Sequence, residues 1–133
     1  MGRLSQRVGK GGELAVIGKL LDENMNVFQP LIDVEGIDCV VRRRDGQYTE
    51  IQIKTRSPTV KYHYNYIVHN LKPRPNFYIV CHVKGTDEYF VLPSKVFAQE
   101  STKVAARNAY ILRLAGSRKD RLRKYLNKFS QLT

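Results

Sequence analysis

Apolar and polar positions alternate most strictly over residues 48–54, where Ile51 and Ile53 fall on one side and Glu50, Gln52 and Lys54 on the other. Asp45-Gly46 just upstream is a tight-turn pair, and residues 37–43 form a β-rich run before it. Together these predict a β-hairpin. Over residues 13–24, Ile17, Leu20 and Leu21 recur at helical spacing with Leu14 and Val16 beside them, while Lys19, Asp22 and Glu23 can face water. Helix is therefore predicted to begin near Gly12. Glu13 shares the angular sector of Ile17 and Leu20, which turns a carboxylate toward the core side.

The remaining elements follow from shorter signals. Residues 26–32 suggest a first strand broken by Pro30 and by the polar turn before Gly36. Residues 57–76, with Pro58, Pro73 and Pro75 among aromatic and basic residues, read as a loop with room for one short helix. Strands are predicted over 77–83 and 88–92, joined by a turn at Gly85-Thr86-Asp87. Ser94 can cap a short helix over 95–99, and residues 108–114 fit either a last strand or a helix ended by Gly116. Ser117, with Asp120 three residues on, is placed to cap a final helix striped by Leu122, Tyr125, Leu126 and Phe129. The expected fold class is α/β: a central mixed sheet of about five strands flanked by helices.

Composition narrows the setting. The 133 residues, 42% of them hydrophobic, suit a single domain, with residues 1–11 expected as a flexible basic arm. The 23 Lys and Arg against 12 Asp and Glu give a net charge of +11, which favours a polyanionic partner but does not choose between DNA, RNA and anionic membrane. Cys39 and Cys81 lack CxxC spacing and sit in apolar runs, so they read as free thiols in a reducing, cytoplasmic setting. There is no apolar run of membrane-spanning length, so no membrane partner is expected.

The chemistry concentrates in Glu13, Asp38, Gln52 and Lys54. Residues two apart on a strand project from one face about 6.6 to 7 Å apart, so Gln52 and Lys54 can flank one phosphate while the hairpin partner brings Asp38 alongside. Hydrolysing a phosphodiester needs a nucleophilic water and neutralisation of charge on the phosphoryl oxygens, which hard oxygen ligands around Mg²⁺ can provide. In that role Asp38 is the principal ligand, joined by the side-chain oxygen of Gln52 and the backbone carbonyl of Ile53. Glu13 binds the metal or a metal water, and Lys54 orients the attacking water and stabilises negative charge.

Glu13, Gly36-Ile37-Asp38 and Gln52-Ile53-Lys54 resemble the PD-(D/E)xK nuclease superfamily, the restriction-endonuclease-like fold, in its QxK variant. By motif the resemblance covers residues 12–56, and by strand pattern 77–92. It implies a DNA endonuclease using Mg²⁺, for which Mn²⁺ can substitute, with no small-molecule cofactor. Restriction-type enzymes, homing endonucleases and four-way (Holliday) junction resolvases all remain open. No proline precedes Asp38, and Gln52 stands where an acid is usual, so Asp33 or Glu50 is a candidate for the missing charge. One active site per small chain implies a homodimer or higher symmetric oligomer for cutting two strands.

Other sites are weaker. The spacing around Gly12 does not fit a phosphate loop, and the three histidines share no ligand spacing with the cysteines. Arg42, Arg43, Arg44 and Arg56 are candidates for holding the phosphate backbone. Lys61, Tyr62 and Tyr64, in an interleaved aromatic and cationic segment, are candidates for stacking on bases. The competing function class is a non-catalytic nucleic-acid-binding module that retains the nuclease fold, with affinity that falls steeply in salt and no strand cleavage.

Overall fold

The computed structural model describes residues 2–32, 34 and 36–133. Among the described residues, eight strands form two sheets, which three α-helices and three short 3₁₀ turns accompany. The larger sheet contains β1 (Asn26–Phe28), β2 (Cys39–Arg42), β3 (Tyr48–Arg56), β5 (Phe77–Val83) and β6 (Tyr89–Pro93), in the order β1-β2-β3-β5-β6. It is mixed, because β3 and β5 run parallel while the other neighbours are antiparallel. The smaller antiparallel sheet has the order β4-β8-β7, from Asn65–His69, Ala109–Arg113 and Thr102–Val104.

The predicted hairpin forms in the register its alternation requires: Cys39 pairs with Ile51 and Arg42 with Tyr48 across the Asp45-Gly46 turn. Ile51 and Ile53 enter a core against Val16, Ile17 and Leu20 of α1 (Gly2–Asp22) and the C-terminal Phe129 and Leu132. The opposite face of the sheet packs Phe77, Ile79 and Cys81 against the small sheet and against α2 (Ser94–Glu100) and α3 (Gly116–Leu122). Strand β5 lies between these layers, which explains its nearly unbroken apolar sequence and burial. Both cysteines are free and buried, Cys81 in β5 and Cys39 in β2, and burial first, then the nearby Asp38 carboxylate, pushes Cys39 up to about 12.

Several local expectations need correction. Residues 1–11 were expected as an arm, yet α1 extends back to Gly2, since Arg3, Leu4, Gln6 and Arg7 favour helix strongly enough to offset the glycines. Leu14 and Leu21 lie on its outer side, 49% and 54% exposed, because the helix turns Val16, Ile17 and Leu20 inward instead. The first strand stops at Phe28, ahead of Pro30. The proline-rich loop holds β4, whose Tyr66 and Val68 are buried in strand alternation.

Near the C-terminus, residues 108–114 contain strand, not helix. Gly116 starts α3 instead of ending an element, with Ala115 as its extended N-cap, so Ser117 does not cap it. Beyond Leu122 the expected long helix breaks into 3₁₀ turns at Arg123–Tyr125 and Phe129–Leu132. Ser94 likewise opens α2 without capping it, and its hydroxyl instead donates to the Arg74 carbonyl and accepts from the Arg74 amide. Among the described residues, no helix is long and apolar enough to cross a membrane.

Candidate active site

Asp38 stands immediately before β2, where its own amide still donates to the Ile51 carbonyl at 2.8 Å. Its Oδ2 accepts the Ile53 amide at 2.6 Å. The carboxylate therefore lies along the edge of β3, in the place where a longer β2 would have continued the ladder. In an antiparallel pair one residue points both its N–H and its C=O toward the same neighbour. The Ile53 carbonyl consequently faces the Asp38 side as well.

Helix α1 brings the second carboxylate. It crosses β3 closely at Gly12, where a methyl group would sit 2.9 Å from Thr55 Cβ. The Lys84 ammonium donates to the Val8 carbonyl at 2.8 Å and ties the same stretch of helix to the end of β5. This approach seats Glu13 close enough to Asp38 for the one carboxyl group to raise the pKa of the other. Lys10, one turn earlier, donates to Glu13 Oε2 at 2.7 Å.

The electrostatics follow from that crowding. Burial raises Asp38 from its usual range to about 6; the Ile53 amide opposes this, Glu13 adds to it, and Lys54 pulls it back. Burial also lowers Lys54, against the pull of Asp38. Asp38 and Lys54 thus feel one another's charge.

Gln52 takes a different position. It shares the Lys54 side of β3, opposite to the buried Ile51 and Ile53, and lies 3.8 Å from the point where a side chain would begin on Gly36. Two clefts meet here. Glu13, Ile37 and Asp38 line one of about 510 Å³, whereas Gly36 and Gln52 line another of about 520 Å³ with His69, Lys72 and Arg74.

The donors suit a hard divalent cation. Two carboxyl groups close enough for one to raise the pKa of the other, with the Ile53 carbonyl beside them, form the oxygen set that such an ion would relieve. Among the described residues, however, no three or more His, Cys, Asp or Glu side chains gather as a metal cluster. Asp33 lies outside the described residues. Glu50 is committed elsewhere, its Oε1 accepting Arg74 Nε at 3.1 Å and Nη2 at 2.5 Å.

The expected backbone-holding arginines do not gather beside Asp38. Arg42 pairs with Tyr48 at the far end of β3 from Lys54, a separation of about 20 Å at strand rise. Arg43 is spent on the fold, donating to Thr49 Oγ1 at 3.1 Å and to the Gln131 carbonyl at 2.9 Å. Arg44 is exposed near the C-terminus, its amide bonded to the Thr133 carbonyl. Arg56 ends β3 and reaches the Tyr62 carbonyl at 3.4 Å, while its Nε is buried without a hydrogen-bond partner.

Lys61 and Tyr62 remain exposed, with the Lys61 ammonium 5.2 Å from the Tyr62 ring, and Tyr64 is half-buried edge-on to Tyr62 at 6.0 Å. Sequence reasoning missed Lys10, which its i,i+3 spacing to Glu13 would have revealed had the helix been extended. It also missed Lys72, for which no local signal exists.

Compared with solved structures, the chain resembles the bacterial homing endonuclease I-Ssp6803I, with a TM-score of 0.66, 22% sequence identity, and coverage of 96% of this chain and 90% of that one. No family model matches the sequence, and no curated protein does. The likeness shows a shared fold along almost the whole chain.

Proposed function

We propose that this protein is a metal-dependent DNA endonuclease with a PD-(D/E)xK-type site in the QxK form. The observation that carries the reading is the Asp38 carboxylate, fixed by the Ile53 amide between Glu13 and Lys54. The fold shared with a homing endonuclease and the charge of +11 support DNA as the substrate.

Asp38 and Glu13, with the Ile53 carbonyl and the Gln52 side-chain oxygen, are the groups that would hold Mg²⁺ or Mn²⁺. When bound, the ion supplies an activated water and neutralises the phosphoryl oxygens. The Ile53 amide holds the Asp38 carboxylate in one rotamer before substrate arrives, so no reorganisation is needed. Lys54, crowded by burial, carries its ammonium beside Asp38, where it can orient water and stabilise charge on the phosphate. Each chain supplies one such site, and cleavage of both strands of a duplex is assigned to a symmetric pair of chains.

The test is incubation of supercoiled plasmid, linear duplex, single strands and a four-way junction with Mg²⁺ or Mn²⁺. Wild type is expected to cut duplex. Asp38→Ala, Gln52→Ala and Lys54→Ala should each lose on the order of 100-fold or more in rate while still binding DNA. Binding without cleavage by wild type on every substrate would assign the chain to the non-catalytic class.

A further inference from the structure

The second cleft, beyond Gln52, has the chemistry of an anion groove. Among the described residues, its lining contains Lys72 and Arg74 and no carboxylate. Arg74 is neutralised by Glu50 and held over the Phe77 ring, 4.1 Å from its centroid. Lys72 is exposed, and among the described residues its ammonium makes no ion pair, so it is the cation this cleft offers to a ligand.

The lip of the cleft is built across the small sheet. Asn70 and Asn108 both adopt left-handed backbone, with φ of 55° and 45°. The Asn70 amide donates to the Asn108 carbonyl at 2.8 Å, and Asn108 Nδ2 donates to Asn70 Oδ1 at 2.7 Å. This clasp ties the chain just after β4 to the start of β8, two residues before Lys72.

Three consecutive residues separate the two clefts: Gly36 lines one, and Ile37 and Asp38 the other. A DNA strand is a continuous polyanion, so a phosphate held at Asp38 has neighbours that must lie on either side. The Asp38 side presents two carboxylates with Lys10 paired to one of them, whereas among the described residues the Lys72 side presents a cation outside any ion pair. We propose that the Lys72 cleft is a strand-binding subsite that seats the phosphate adjacent to the scissile one, with Lys72 as its cation and the Asn70–Asn108 clasp as its wall. The subsite rests on the nuclease reading for its place next to the cut, and on its own charge and shape for binding DNA.

The experiment joins one variant with one chemical change in the DNA. Lys72→Ala removes an exposed side chain, so its melting temperature should match wild type. Its dependence of log affinity on log salt should be shallower by about one phosphate contact. Neutral methylphosphonates are then placed singly along a duplex. Wild type should lose roughly five- to tenfold in binding and in cleavage at the position one nucleotide from the cut. Lys72→Ala should lose nothing further there, and lose normally elsewhere.

An unchanged salt slope, losses that multiply at every position, or coupling at a position remote from the cut would each overturn the subsite. If wild type never cuts but binds duplex, and Lys72→Ala is coupled to one phosphate position only, the nuclease reading falls and the DNA subsite stands. If it binds no duplex, both fall.

Discussion

The Asp38 carboxylate is bound by the backbone of the residue that precedes Lys54: Oδ2 accepts the Ile53 amide at 2.6 Å. Strand β2 begins only at Cys39, so a side chain replaces what the next backbone pair would have supplied. The cost is a carboxyl group raised to about 6, chiefly by burial. A raised acid binds its proton more tightly in the folded chain, so stability is lost as pH climbs from about 4 to 6, and the loss persists at neutral pH. Asp38→Asn keeps an oxygen for the Ile53 amide and removes that charge. Without divalent ions at pH 7.5, it should raise stability by on the order of 1 kcal/mol, after allowing for solvent screening, while abolishing cleavage. Urea melts with and without Mg²⁺ check both parts, since the ion should stabilise wild type and not the variant.

Glycines in one helix should behave oppositely. At Gly12 an added methyl meets Thr55, whereas at Gly9 and Gly11 nothing lies within 4 Å. Gly12→Ala is expected to cost about 1–3 kcal/mol by pushing α1 off β3, and to reduce cleavage by displacing Glu13. Gly9→Ala and Gly11→Ala should each gain up to about 1 kcal/mol from helix propensity alone, with activity kept. Equal effects at all three positions would mean that α1 does not pack on Thr55.

What could be read from the sequence divides along physical lines. The β2–β3 hairpin was legible because a period of two fixes both face and register, and a one-residue slip would expose Ile51 and Ile53. Glu13 was legible from helical phase. The length of α1 was not, because Gly9, Gly11 and Gly12 look like a break until the approach of Thr55 explains one of them. Strand β4 was hidden by the prolines and mixed aromatic residues around it. The Lys72 cleft was beyond reach, since its wall depends on Asn70 meeting Asn108 across 38 residues.

The three consecutive arginines separate into different roles. Arg43 donates to Thr49 Oγ1 and to the Gln131 carbonyl, fastening the C-terminal turn under the sheet. Arg43→Ala should therefore destabilise the fold by about 1–3 kcal/mol through the acceptors it leaves. Arg42→Ala and Arg44→Ala, at exposed positions, should stay within about 0.5 kcal/mol of wild type. Urea denaturation of the three variants checks the difference, and a uniform response would remove the structural role given to Arg43.

His82 makes stability depend on acid through a second buried group, on the side of the sheet that packs against α1. It is 4% exposed, stacks on Tyr89 with ring centroids 3.9 Å apart, and its Nδ1 lies 2.9 Å from the Glu88 carbonyl. Burial lowers its pKa from 6.5, with the Glu88 carbonyl and Asp87 opposing. The unfolded chain therefore takes up this proton first as pH falls. The contribution is fully present above about 6.5 and is lost as pH drops from there toward the folded value. His82→Gln should begin less stable at pH 8, because it loses the stack on Tyr89, yet decline less steeply between pH 7 and 5.5. Chemical denaturation at four or five pH values in that interval gives both slopes; parallel lines would show that the acid sensitivity lies elsewhere.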